Sequence, residues 1–319
     1  MIFEKTITKI YLSIMDRRMD PVGDIFYFSA SDFEGLREEA FEFFGNGGQR
    51  LIGRIYRYGD GNDRRIIVFD HGMGNGHDAY LREIELLARH GYTVVSYDHT
   101  GCHRSEGESV RGFSQSLSDL DCCLCYVKAR FAGSSISVIG HSWGGFSTLN
   151  ISALHPEITH IVALSGFVSV ERMLKQFFSG LLGAFVPKIY AIEKERGGKY
   201  AEMDAVSSLR ASDAKALIIH SRDDKTVKAK AHFDVLSREL ADRPETYFLS
   251  LSDRGHNPNY TKNAVKLLGE FNTKLTKARR KKRLATPEEK KAFLDSFDWW
   301  AITEQDEEIF SKIFEFLDS

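Results

Sequence analysis

A pentapeptide in the middle of the chain, Gly140-His141-Ser142-Trp143-Gly144, most constrains what this sequence can fold into. Its pattern, G-x-S-x-G, is typical of a sharp turn that presents a serine between a strand and a helix. A β-branched apolar run at 135–139 precedes it, and the helix-compatible segment 146–154 follows it. Glycine at both ends removes side chains that would collide in so tight a turn. An ordinary glycine-rich turn can look the same, so a catalytic interpretation also requires a base, an acid and an oxyanion hole.

Strand-like and helix-like segments alternate along most of the chain. A hairpin is predicted first, because the turn-forming residues Gly45-Asn46-Gly47-Gly48 separate two strand-like stretches, 39–44 and 50–58. Apolar runs of the kind buried on both faces of a sheet then recur between helical segments. This alternation predicts an α/β fold with a mostly parallel central sheet and helices on both faces. The predicted buried strands are 65–69, 92–97, 135–139, 158–164, 215–220 and 246–251.

The alternation predicts three parts. Residues 1–37 are expected to form an N-terminal helical extension, with an amphipathic helix in Met1–Met19 that docks on the body. Residues 168–212 contain no buried-strand pattern and are expected to form an inserted helical cap. The core then comprises 38–167 and 213–319, with a helical insertion at about 261–303.

The cap carries an apolar stripe that includes Phe177 and Phe178. Such a stripe can simply pack the cap against the core. It can also line an acyl or aromatic pocket, and on that interpretation Phe177 and Phe178 contact the substrate.

Three polar residues lie just past the ends of predicted strands, in the order Ser142, Asp224, His256. In a parallel sheet these strand ends share one edge, so residues far apart in sequence can meet there. His256 is the expected base that activates Ser142, and Asp224 is the expected acid that orients the imidazole. Asp223 is the alternative acid, since adjacent side chains on an extended backbone face opposite ways.

A glycine-rich loop, residues 70–76, follows the strand at 65–69. Backbone N–H groups in such a loop can stabilise an oxyanion, and we expect donors at Met73 and at Trp143. His71 and His141 flank these two turns and are candidate substrate-binding residues.

At these residues the sequence resembles the monoacylglycerol lipase and serine aminopeptidase-like branch of the α/β-hydrolase family. The resemblance covers residues 38–257 and the last helix, and it implies the α/β-hydrolase fold with a cap. It supports Asp224 as the acid, because the family's acid lies four residues after a strand-end histidine such as His220, and it supports Met73 as an oxyanion donor. The matching segments are His71-Gly72-Met73-Gly74, Tyr97-Asp98-His99-Thr100-Gly101, Ser105-Glu106-Gly107, Gly140–Gly145, His220–Asp224 with Val227, and Gly255-His256.

Composition excludes several classes. A net charge of −2 gives no reason to expect nucleic-acid binding, and no apolar run approaches membrane-spanning length. Three of the four cysteines lie close together on one predicted helix, where reduced, packed thiols are expected; this and the absence of a signal-peptide pattern favour the cytoplasm. No metal or organic cofactor is expected. The basic run Lys277–Arg283 is interpreted as a solvated helix end, with contact to an anionic surface as the alternative.

These features predict a serine hydrolase that cleaves carboxylic esters, lipid or small aryl and alkyl esters, through an acyl-Ser142 intermediate. A serine aminopeptidase similar to proline iminopeptidase, a thioesterase or acyltransferase, and a non-catalytic binding protein are the alternatives. An aminopeptidase would need carboxylates in the cap to hold a substrate's free amine. The sequence leaves the physiological substrate and the oligomeric state open.

Overall fold

The structure is a computed structural model that describes residues 2–74 and 76–319. Met1, in the predicted amphipathic segment, and Asn75, in the predicted oxyanion loop, lie outside the described residues. Eight strands form one sheet. In chain order they are β1 (Leu36–Phe44), β2 (Arg50–Tyr58), β3 (Arg65–Asp70), β4 (Thr93–Tyr97), β5 (Ser135–His141), β6 (Ile158–Leu164), β7 (Lys215–Ser221) and β8 (Thr246–Leu251).

The strand order across the sheet is β1-β2-β4-β3-β5-β6-β7-β8. β1 and β2 form the antiparallel hairpin, β2 pairs antiparallel with β4, and all later pairings are parallel. Asp70, the last residue of β3, pairs with Gly140 near the end of β5. The loops that leave β3, β5, β7 and β8 therefore emerge at one edge of the sheet, as expected for parallel strands.

Side chains of the central strands alternate between two hydrophobic cores. In β3, Ile66 and Val68 belong to the core on one face, and Ile67 and Phe69 belong to the core on the other. All four are buried, which explains why this strand is a continuous apolar run rather than an alternating one. The sheet thus forms the middle layer between two sets of helices.

Thirteen α-helices are found in the described residues. Buried residues of α1, α3 and α4 contribute to one core, and those of α2, α10 and α13 contribute to the other. The helices are α1 (Ile2–Met15), α2 (Leu81–Arg89), α3 (Gln115–Arg130), α4 (Trp143–Ile151), α5 (Val170–Phe177), α6 (Val186–Gly197), α7 (Lys199–Glu202), α8 (Ala205–Arg210), α9 (Phe233–Glu239), α10 (Lys262–Arg280), α11 (Pro287–Leu294), α12 (Trp299–Ile302) and α13 (Glu307–Leu317).

The N-terminal segment is held to the loop that follows β4. The N–H of Met19 donates to the carbonyl of Gly101 (2.8 Å), and the N–H of Arg111 donates to the carbonyl of Met15 (3.1 Å). Arg18 also donates to the carbonyls of Ser105 and Gly107. Helix α1 ends at Met15 rather than continuing to Met19, because the chain turns there to pair with this loop.

The C-terminal region contains a short helix that begins at Trp299. This helix, α12, lies between α11 and α13. The side chain of Asp298 caps this helix by accepting a hydrogen bond from the N–H of Ala301 (3.1 Å), an N-cap contact that stabilises even a single turn.

Across the described residues, each helix is either too short or too polar to cross a bilayer. The four cysteines are free thiols in this structure, and three of them, Cys122, Cys123 and Cys125, lie on α3.

Candidate active site

Ser142 lies between β5 and α4 in a strained conformation, with φ +56° and ψ −108°. Neighbouring backbone leaves no room for side chains at the two motif glycines. A Cβ on Gly140 would lie 2.3 Å from the carbonyl oxygen of Gly144, and one on Gly144 would lie 2.0 Å from that of Asp70. The packing thus accounts for both glycines, and it brings the end of β3 against the start of α4. Positive φ at a serine is a strain typical of functional sites.

The loops after β5, β7 and β8 bring Ser142, Asp224 and His256 together. His256 Nε2 lies 2.8 Å from Ser142 Oγ, and His256 Nδ1 lies 2.8 Å from Asp224 Oδ2. Because a carboxylate only accepts, Nδ1 carries the proton and Nε2 is free to accept from the serine hydroxyl. This is the nucleophile, base and acid geometry of acyl-transfer enzymes.

Asp224 is held in its ionised form. Burial opposes ionisation, but hydrogen bonds with His220 and His256 outweigh it and hold the pKa of this carboxyl well below its usual range. The N–H groups of Thr226 and Val227 also donate to Oδ1, at 2.8 and 3.0 Å. These donors stabilise the negative charge of the Asp224 carboxylate, and this charge in turn stabilises the imidazolium form of His256.

The alternative acid, Asp223, faces away from His256. Its Oδ1 accepts from Ser221 Oγ (2.5 Å), and its Oδ2 accepts from the N–H of Gly255 (3.2 Å). Asp223 therefore ties the end of β7 to the loop that carries His256. The structure brings Asp224, and not Asp223, to the imidazole.

The two expected oxyanion donors lie at the same sheet edge. Trp143 is the first residue of α4, so its N–H has no acceptor within the helix. Met73 is in the loop that leaves β3. This loop lies beside the turn at Ser142, here called the elbow, because the backbone of Asp70 packs against Gly144. The roles of the Trp143 and Met73 N–H groups as oxyanion donors to a carbonyl bound at Ser142 stay a prediction.

His71 has both ring nitrogens engaged within the protein. Its Nε2 accepts from the N–H of His99 (3.1 Å), so the proton lies on Nδ1, which donates to the carbonyl of Gly72 (2.6 Å). The ring is fully buried, and burial lowers the pKa of His71 far below its ordinary value. The ring of His71 is therefore neutral and bonds the backbone of two loops, and its expected contact with substrate stays a prediction.

His141 connects that loop to the loop that carries His256. Its Nε2 donates to the carbonyl oxygen of His256 (2.8 Å), and its Nδ1 accepts from the hydroxyl of Tyr80 (2.8 Å). The hydroxyl of Tyr80 in turn accepts from the N–H of Gly72 (3.1 Å). Burial lowers the pKa of His141 to about 3, so the ring is neutral. Both ring nitrogens of His141 thus have partners within the protein, and its expected contact with substrate stays a prediction.

A buried charge cluster lies below the elbow. The ring of His99 lies between two carboxylates, with Nε2 3.2 Å from Asp70 and Nδ1 3.5 Å from Asp119. Burial alone would lower the pKa of His99, but the two carboxylates raise it to about 10. The centroid of the cationic ring lies 4.8 Å from that of the indole of Trp143, an expected oxyanion donor.

Sequence reasoning gave Tyr80, Asp119 and the side chain of His99 no role. Of these three residues, only His99 could have been noticed in the sequence, because it lies in the Tyr97–Gly101 segment that resembles the family. The partners of Tyr80 and Asp119 become visible only once the loops are assembled.

An apolar cavity of about 300 Å³ extends from the oxyanion loop. Among the described residues that line it, none carries a charged side chain. Phe177 and Phe178 line it, and so does Met73. Contact of the two phenylalanines with substrate stays a prediction. The lining residues are Ile10, Tyr11, Ile14, Met15, Met73, Phe113, Leu174, Phe177 and Phe178.

One group of potential metal ligands lies elsewhere, on α3 and after α4. Ligand atoms of Asp121, Cys125 and His155 come within 4.8 Å of one another. His155 already bonds Asp121 through Nε2 (2.7 Å) and Glu157 through Nδ1 (3.1 Å), and the ammonium of Lys199 lies 3.8 Å from Asp121. Asp121 and His155 thus already have hydrogen-bond and ion-pair partners among neighbouring side chains, and these contacts do not indicate a bound cation.

Relatives of known sequence match only part of the chain. A monoglyceride lipase homolog of monkeypox virus is 24% identical over 129 residues, which are 39% of this chain and 47% of that protein. A proline iminopeptidase of Saccharolobus solfataricus is 27% identical over 133 residues, 40% of this chain and 41% of that protein. The chain therefore matches less than half the length of either relative.

Solved structures match much more of the chain. The esterase PF2001 of Pyrococcus furiosus superposes with a TM-score of 0.60 over 83% of this chain and 98% of that one, at 17% identity. An acylaminoacyl peptidase of Pyrococcus horikoshii gives a TM-score of 0.55 over 76% of this chain and 42% of that one, at 18% identity. At such identities the likeness shows the fold alone, and that fold is the α/β-hydrolase fold.

The family model for serine aminopeptidase S33 matches residues 61–231, more than half of the chain. The match includes Ser142 and Asp224 and ends before His256. Together with the fold, this match shows that the chain belongs to the serine aminopeptidase S33 family of α/β-hydrolases.

Proposed function

We propose that this hydrolase cleaves carboxylic esters with an apolar acyl group through an acyl-Ser142 intermediate. The observation that carries the proposal is the apolar cavity beside Met73, which adjoins the expected oxyanion position and has no charged side chain among its described lining residues. Such a cavity favours a hydrocarbon chain over a charged one, because an unpaired charge pays a large desolvation penalty there.

The proposed reaction begins when Ser142 Oγ attacks the ester carbonyl and His256 Nε2 takes the hydroxyl proton. The carbonyl oxygen becomes an oxyanion that accepts from the N–H groups of Met73 and Trp143. His256 then returns the proton to the alkoxide, which leaves as the alcohol. A water molecule repeats the sequence on the acyl-enzyme, releases the carboxylic acid and restores the serine. Asp224 stabilises the imidazolium throughout.

A serine aminopeptidase is the second candidate, favoured by the family's description and by the proline iminopeptidase relative. Such an enzyme needs a carboxylate to hold the substrate's free amine. Glu193 is the cap carboxylate that approaches the cavity, through its contact with Tyr11. It is fully buried and also accepts from the N–H of Phe113 (2.8 Å) and from Ser114 Oγ (3.3 Å). Its oxygens are thus already engaged, which supports the esterase proposal.

Two measurements test the proposal. A fluorophosphonate probe should label the wild type and the control Ser179→Ala, which changes an exposed cap serine, but not Ser142→Ala. A substrate panel then compares p-nitrophenyl esters, an acyl thioester and aminoacyl p-nitroanilides. We expect the highest kcat/KM for the esters. Preference for anilides with a free amine would replace the proposal with the aminopeptidase, and preference for the thioester would replace it with a thioesterase.

A further inference from the structure

We propose that helix α1 forms a wall of the acyl pocket and sets the length of acyl chain that the enzyme accepts; this inference rests on the proposed ester hydrolysis. The N-terminal segment supplies four of the nine residues that line the cavity: Ile10, Tyr11, Ile14 and Met15. The remaining lining residues come from the core and the cap. The pocket is therefore enclosed by three separate parts of the chain.

Helix α1 is fixed in this place by its inner face. Ile7, Tyr11 and Met15 are buried in the hydrophobic core that also contains residues of α3 and α4. The hydroxyl of Tyr11 donates to Glu193 on α6, and Asp16 forms an ion pair with Arg196 at 2.6 Å. Because both apolar packing and polar contacts hold α1 against the rest of the protein, we expect this wall of the pocket to be ordered.

The outer edge of the wall is formed by two isoleucines that are only partly covered. Ile10 is 49% exposed and Ile14 is 42% exposed, although both line the cavity. On the opposite side, Phe177 of the cap is 53% exposed and stacks on Phe113, with ring centroids 5.9 Å apart. These half-exposed apolar side chains form the rim of the pocket. A hydrocarbon chain in the cavity would cover them, which supplies the driving force for binding it.

The inference gives Ile14 a specific role. Its side chain reaches the cavity but is not part of the buried core, so a change of size there alters the cavity more than it disturbs packing. A larger side chain at this position should shorten the pocket, and a smaller one should lengthen it. Each methylene that no longer fits should lower kcat/KM by roughly fourfold.

The test measures kcat/KM for p-nitrophenyl esters from acetate to dodecanoate. In Ile14→Trp we expect the ratio of decanoate to acetate to fall by roughly tenfold or more relative to the wild type, equivalent to loss of about two methylenes. In Ile14→Ala we expect the preferred chain length to increase. The matched control is Val22→Trp, an exposed apolar residue (57%) of the same N-terminal segment that does not line the cavity, and its profile should equal that of the wild type.

A second measurement avoids ester turnover. Alkyl fluorophosphonates with short and long chains should inactivate Ile14→Trp with the same loss of preference for the long chain. Chain-length profiles that do not change in Ile14→Trp, or that change equally in Val22→Trp, would overturn the wall assignment while leaving the esterase proposal intact. A wild type that reacts with the probe but hydrolyses no ester would overturn the proposed function, and this inference with it.

Discussion

The buried histidines around the site have opposite charge states because their neighbours differ. Burial lowers the pKa of His141 and of His232 to about 3, whereas two carboxylates raise that of His99 to about 10 against the effect of burial. In the unfolded chain all three return to about 6.5. Each ring therefore binds a different number of protons in the folded and unfolded states, so the free energy of unfolding depends on pH. The sign of this dependence for His99 is opposite to that for His141 and His232.

The signs follow from the proton counts. Between pH 6.5 and 3 the unfolded chain protonates His141 and His232 but the folded protein does not, so these residues lower the free energy of unfolding as the pH falls. For His99 the folded state holds the extra proton. Its contribution is fully present below about pH 6.5 and is lost as the pH rises through about 10.

His232 allows this pH dependence to be tested without replacing a residue of the catalytic triad. Its ring is fully buried and accepts from the N–H of Val168 (3.2 Å), and its pKa is lowered by burial and then by the nearby His220 and Arg172, while Asp224 opposes them. Asparagine keeps an acceptor but cannot titrate. In His232→Asn we expect the fall in unfolding free energy between pH 6.5 and 4.5 to be shallower than in the wild type by up to about 1.4 kcal/mol per pH unit.

Urea titrations at pH 4.5, 5.5, 6.5 and 7.5 measure this difference. The values at pH 7.5 serve as the reference, because His232 is neutral in both states there. If the free energy of unfolding changes with pH equally steeply in the wild type and in His232→Asn between pH 6.5 and 4.5, the ring of His232 is not held neutral in the folded protein.

At the level of elements, the hydroxyl of Tyr80 and the ring of His141 together connect the loops that follow β3, β5 and β8. Tyr80 lies in the short 3₁₀-helix His77–Tyr80, and its hydroxyl links the N–H of Gly72 in the oxyanion loop with His141 in the elbow. His141 then holds the carbonyl of His256. The loops after β3, β5 and β8 are thus linked to one another through the side chains of Tyr80 and His141.

We expect Tyr80→Phe to lower kcat for ester hydrolysis by roughly five- to tenfold and to leave KM nearly unchanged. Loss of a hydrogen bond worth about 1 kcal/mol frees the oxyanion loop, and donors that act mainly in the transition state then contribute less. The measurement is the kcat and KM of the same p-nitrophenyl ester. Tyr58→Phe is the control, because it removes a tyrosine hydroxyl that bonds Glu85 at 2.7 Å, outside the three loops. Equal effects in the two variants would remove the positioning role.

The same elements show what sequence could predict. The central part of the sheet was predictable because its strands are continuous apolar runs. That Ser142, Asp224 and His256 share one edge of the sheet follows from its parallel topology. The partners of His71 and His141 were not predictable, since a ring nitrogen's partner is set by how loops fold back on one another. Periodicity indicated that α1 is amphipathic, but not that its apolar face would meet Phe113 and the cap beside Met73.

At the scale of the whole molecule, the pocket is assembled from distant parts of the chain. The bond between Tyr11 and Glu193 joins residues 182 positions apart, and that between Asp16 and Arg196 joins residues 180 apart. Contacts over such separations require loop closure, whose entropic cost is repaid only when both partners are in place. The wall formed by α1 should therefore dock late in folding.

On refolding from urea we expect activity toward p-nitrophenyl acetate to return before activity toward the decanoate ester. The acetate ester needs only Ser142, His256, Asp224 and the oxyanion loop, whereas the decanoate ester also needs the wall. Samples taken during refolding and assayed with both esters measure the delay. Identical time courses would show that α1 docks together with the core.

Trp143 has an optical consequence. Its backbone N–H is an expected oxyanion donor, while its indole is buried and donates to the carbonyl of Phe113 (2.6 Å), a residue that lines the pocket. The chain has three tryptophans, and the other two, Trp299 and Trp300, lie together in the C-terminal region. With these two replaced by phenylalanine, tryptophan fluorescence would come from a single residue beside Ser142. The protein thus contains its own spectroscopic reporter, whose emission would respond to an acyl chain in the proposed pocket without a label.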